Sequence, residues 1–215
     1  MKSSEELFQE WKQKRHSYKL FCEDGILLES KWEKSNPKIL FLIQETYRHL
    51  IHFKGQIVSA SPKCTFLKKL YAFAYIITEY LNDRVPELNT MYKIKDEPNE
   101  SIAIVSIKKH VQKIAKDFEF RSNDEEILNY ARNDKDFLIR QIGLIKPDVI
   151  FCCGTFHCAK ELFPNLLNIS KGVYAHEKIL LIHYEKPSNI YGYEHGFDCV
   201  SSFMEGYKRA ANELK

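Results

Sequence analysis

The chain's most chemically suggestive stretch is Gln44-Glu45-Thr46-Tyr47-Arg48-His49, which directly follows the apolar run at residues 38–43 (KILFLI). A carboxylate just beyond a buried strand stands where ligand crevices form, and it can steady a developing cation or take a proton from water. It can equally cap the next segment from the surface, and the residues alone leave both readings open. A second group stands at the end of another apolar run, residues 102–107 (IAIVSI): Ser106, then Lys108, Lys109 and His110, with Lys113 close behind. Lys63, Lys68 and Lys69 make another basic cluster. Clustered cations suit phosphates. Their plainer alternative is a solvated helix start, which the positive end of a helix dipole disfavours. A third group, Lys186-Pro187-Ser188-Asn189, follows the apolar run at 178–184 (KILLIHY). His183 lies inside that run and reads as a core histidine.

These groups need elements to hold them. Residues 38–43, 102–107, 148–153 (DVIFCC) and 178–184 are short, almost wholly apolar runs, the pattern of parallel strands buried on both faces. Helical spacing separates them. Residues 65–81 place Leu67, Leu70, Phe73, Ala74 and Ile77 on one face. Ser122-Asn123-Asp124-Glu125-Glu126 is a strong helix start, and that helix is expected to run to Ile145, before Lys146-Pro147. A first helix is expected over residues 4–22, a short one from Thr155 to about Phe163, and a closing one over 198–214. Alternating strands and helices predict an α/β domain, a three-layer sandwich around a four-stranded parallel sheet, spanning residues 1–215 as one unit. In such sheets ligands bind beyond the carboxyl ends of the strands. The places to inspect are therefore residues 44–48, 106–110, 154–156 and 185–189.

Composition narrows the function classes. The chain has 215 residues, 44% hydrophobic and 28% charged, with net charge +3. That is enough for one sizeable core. No apolar run reaches membrane-spanning length, and the charged N-terminus lacks a signal-peptide core, so a cytoplasmic protein without membrane contact is expected. The six cysteines form no CxxC pair and read as reduced thiols. A metal site from Cys153, His157 and Cys158 is conceivable, but adjacent strand residues point to opposite faces, so neither metal nor cofactor is expected.

The ordered strand ends resemble the uracil-DNA glycosylase superfamily. Members carry GQDPYH after their first strand; this chain reads IQETYR there, with Gln44 and Tyr47 matching and Glu45 in place of the water-activating Asp. Ser59-Ala60-Ser61-Pro62-Lys63 resembles the family's Pro/Ser-rich loop, IAIVSIKK its second strand, and HYEKPSN its final HPS segment, with Ser106 replacing the base-reading Asn and Lys186 the His. The resemblance covers about residues 36–208. It implies a monomeric DNA glycosylase in which Glu45 is catalytic and Gln44, Tyr47, Ser106 and Lys186 face a flipped base. It further implies that Ser61, Lys108, Lys109, His110, Ser188 and Asn189 hold DNA. The family also includes defence proteins that attack phage DNA carrying glucosylated hydroxymethylcytosine, and the altered pocket residues suggest a modified base of that kind. The rival readings are a DNA-binding module that recognises damaged or modified DNA without cutting it, and a hydrolase of small nucleosides.

Overall fold

A computed structural model describes residues 3–18, 21–45, 65–94, 101–110, 122–185 and 193–213. The first helix, α1 (Ser4–Lys14), opens with a capping box. Ser3 Oγ accepts from the Glu6 N–H at 3.2 Å, and Glu6 Oε2 accepts from the Ser3 N–H at 2.8 Å. It ends at Lys14, well short of the expected residue 22. The chain then needs extended backbone to form β1 (Gly25–Ile26) on the sheet edge, followed by the single turn α2 (Glu29–Trp32).

The four apolar runs form β2 (Ile39–Glu45), β3 (Ala103–Lys108), β4 (Val149–Cys153) and β7 (Ile179–Tyr184). They lie side by side and parallel in the order β3-β2-β4-β7. The sheet itself is larger than expected. It has seven strands and is mixed, because β1 adds antiparallel to β3 and a meander of β5 (Leu167–Ser170) and β6 (Val173–His176) adds antiparallel to β7. Gly172, at φ 75°, makes the β5–β6 turn. A Cβ there would stand 2.9 Å from the Phe203 ring, so the closing helix depends on that glycine.

Two apolar layers cover the sheet. Ile39, Phe41 and Ile43 face α3 (Thr65–Leu81), α4 (Leu88–Ile94) and α8 (Tyr193–Glu213) through Leu70, Ile76, Met91 and Met204. Leu40, Leu42 and Ile150 face the other layer: α1, α5 (Asp124–Asn133), α6 (Lys135–Ile145) and α7 (Phe156–Leu162). The strict alternation is the period of two expected of a strand buried on both sides. Cys152 and Cys153 accordingly belong to opposite layers. The single helix expected from Asp124 to Ile145 is two helices. Asp134 interrupts it, because this fully buried carboxylate accepts bonds from Arg15 Nε at 2.7 Å and the Tyr18 hydroxyl at 2.9 Å. Thr155 precedes α7 without capping it; its hydroxyl donates instead to the Leu42 carbonyl at 2.7 Å, tying β4 to β2. Among the described residues no helix is long and apolar enough to cross a membrane.

Candidate catalytic carboxylate at the strand ends

The parallel strands all end on one side of the molecule, at Glu45, Lys108, Cys153 and Tyr184. From β2 the chain proceeds to β3 on one side; from β4 it proceeds to β7 on the other. That reversal makes the β2–β4 junction the crevice where an α/β sheet receives a ligand. Gln44 and Glu45 stand at this junction.

Glu45 closes β2 in register with Lys108 of β3. Among the described residues, Ser122 supplies hydrogen bonds to both oxygens of its carboxylate. Oε1 accepts from the Ser122 backbone N–H at 3.2 Å, and Oε2 accepts from the Ser122 hydroxyl at 3.1 Å. Lys108 Nζ stands 3.7 Å from Oε2. Its nearer partners are Ser122 Oγ at 2.6 Å and Glu126 Oε1 at 2.8 Å, and it lies over the Tyr130 ring. Burial pushes the Glu126 carboxyl up, but the hydrogen bond and charge of Lys108, with smaller contributions from Ser122 and His110, outweigh it and hold the group below the ordinary carboxylate value. The Glu45 side chain is 14% exposed, while the Lys108 side chain is 1% exposed. The arrangement is a braced, partly exposed carboxylate with a buried cation beside it. Such a group can stabilise positive charge growing on a sugar and orient a water for attack.

Gln44, one residue earlier, reaches the first residue of the same helix, α5. Its amide nitrogen donates to Asp124 Oδ1 at 2.9 Å and to the Gly154 carbonyl at 3.3 Å. Both amide hydrogens are thereby occupied within the protein.

The second strand end differs from expectation. Ser106 is fully buried, and both its N–H (2.8 Å) and its hydroxyl bind Asp24 Oδ2. Lys109 is also fully buried and pairs with Asp24 Oδ1, which Gln141 Nε2 joins at 2.9 Å. His110 bridges to Phe21 and stacks on Tyr18, ring centroids 5.7 Å apart. The expected roles of Ser106 as base reader and of Lys108 and Lys109 as phosphate contacts do not fit these positions. The reason is β1 and the segment before it, which cover the outer side of β3 and turn its end into interior. Lys108 belongs to the Glu45 group instead.

Tyr47, Ser61, Lys186, Ser188 and Asn189 lie outside the described residues. His183 is half-buried and stacks on Phe156, centroids 4.4 Å apart; burial holds its imidazole below the ordinary value. Two residues escaped the sequence reading. Asp24 could have been sought as the counter-ion that lysines at the end of an apolar strand require. Ser122 had no signal beyond its place beside a helix cap. Comparison with known protein families and with curated proteins finds no match for this chain.

Proposed function

We propose that this chain is a monofunctional DNA N-glycosylase acting as a monomer on a flipped, modified base, with Glu45 as its catalytic carboxylate. The observation that carries the reading is Glu45 itself: a braced, partly exposed carboxylate at the switch point of a parallel sheet. In the reaction the C1′–N bond breaks and the base leaves with the electron pair. Water adds its oxygen to C1′, and Glu45 takes the released proton or steers it to solvent. The sequence supports a polyanionic substrate. Residues 46–64, 111–121 and 185–192, which follow β2, β3 and β7 in sequence, carry seven Lys and Arg (Arg48, Lys54, Lys63, Lys113, Lys116, Arg121 and Lys186) against Asp117, Glu119 and Glu185.

The state of Ser106 favours a base other than uracil. With its hydroxyl bound to Asp24, β3 offers no side chain to the Watson–Crick edge there. Glucosylated hydroxymethylcytosine remains the sharpest candidate, and phage defence the setting it suggests. The second reading is a DNA-binding module without hydrolysis. On its side is the engagement of Ser106 and Gln44 inside the protein, which removes two expected base contacts.

The test is base release from DNA containing uracil, hydroxymethylcytosine or glucosylated hydroxymethylcytosine, read as abasic sites beside Glu45→Ala. Abasic sites from a modified base alone, lost in the variant, are expected. Tight binding with no abasic sites on any substrate would replace the enzyme by the binding module.

A further inference from the structure

We propose that Ser122 is the positioning residue of Glu45, and that Lys108 acts on the carboxylate chiefly through it. The proposal deepens the catalytic reading of Glu45 and rests on it. The geometry is asymmetric. Ser122 reaches both carboxylate oxygens, at 3.2 and 3.1 Å, whereas Lys108 stands at 3.7 Å. A hydroxyl carries one proton and accepts through its lone pairs. Lys108 donates to Ser122 Oγ at 2.6 Å, so the serine oxygen is the acceptor of that bond and its own proton is directed to Glu45 Oε2. Lys108 also donates to Glu126 at 2.8 Å, which restrains the ammonium from moving onto Glu45.

Ser122 is itself fixed. It is buried, and the next residue, Asn123, caps α5 by accepting from the Glu126 N–H at 2.8 Å. The clamp on Glu45 is therefore the residue just before a capped helix. A glutamate has more rotamer freedom than an aspartate, so orienting its carboxylate for attack needs such an external grip. The segment before the helix supplies both donors from one residue, which sets distance and tilt together.

The test combines crystal structures with rates of base release for the wild type, Ser122→Ala and Ser122→Thr. In Ser122→Ala the Glu45 side chain is expected to spread over several rotamers. Turnover is expected to fall about 10- to 100-fold, with KM changed less than about twofold because binding contacts persist. Ser122→Thr, which keeps the hydroxyl, is expected to hold the single rotamer and restore most of the rate. A Ser122→Ala protein with Glu45 unmoved and turnover unchanged would overturn the proposal. Should the wild type release no base, the catalytic reading fails by itself, and the rotamers of Glu45 in Ser122→Ala still decide whether Ser122 positions it.

Discussion

Lys108 and Lys109 are neighbours in sequence, yet they serve two different carboxylate sites. Lys109 is fully buried and pairs with Asp24, whose carboxylate also takes the Ser106 N–H, the Ser106 hydroxyl and the Gln141 amide. That carboxylate is saturated and faces no crevice. Lys108 is equally buried, but its carboxylates keep more exposure: Glu45 is 14% exposed and Glu126 40%. A saturated buried pair fixes the edge of the sheet. A braced carboxylate that keeps some exposure suits the catalytic role proposed for Glu45. Two consecutive lysines thus serve one saturated carboxylate and one partly exposed pair.

The strongest way to break that contrast is to remove Asp24. Asp24→Ala takes the carboxylate partner from the buried Lys109 and from the Ser106 N–H and hydroxyl, while Gln141 keeps its bond to the residue-24 carbonyl. A loss of about 3–5 kcal/mol in unfolding free energy is expected, measured by urea denaturation. A loss no greater than that of an ordinary surface substitution would remove the structural role given to this pair. Lys108→Met is expected to cost less, about 1–3 kcal/mol, because Glu45 and Glu126 can turn to water. Equal losses for Asp24→Ala and Lys108→Met would erase the distinction.

The smallest effect concerns pH and His183, within β7. Burial is the main cause of the lowered His183 value, and Lys160 and His157 add to it against Glu185. The folded state therefore binds fewer protons than the unfolded chain near the histidine titration. The stability it contributes is present above the unfolded value of about 6.5 and is lost as pH falls toward the lower folded value. His183→Gln is expected to flatten the fall in unfolding free energy between pH 7 and pH 5. An unchanged slope would mean that His183 is not the group responsible.

The central sheet was legible because its strands are buried on both faces, which leaves runs such as KILFLI and DVIFCC with almost no polar residue. The edges were not legible. Strand β1 has only two residues, and β5 and β6 carry mixed patterns such as LNIS and VYAH, whose turn signal is a single Lys-Gly pair. Glu45 was legible as the polar residue after a buried strand. The fate of Ser106 and Lys109 was not, since it depends on Asp24, distant by 82 and 85 residues in sequence. Local pattern locates a strand end; only the packing of another segment decides whether that end is crevice or core.

In the proposed reading Glu45 acts on substrate, whereas the Asp24 group holds the fold. The most direct measurement is the single-turnover rate of base release for Glu45→Gln on the substrate the wild type prefers, with the melting temperature taken alongside. Glutamine keeps an acceptor for Ser122 but carries no charge and takes no proton. The rate is predicted to fall about 10²- to 10⁴-fold with little change in melting temperature. A Glu45→Gln protein that releases base at the wild-type rate would contradict the assignment.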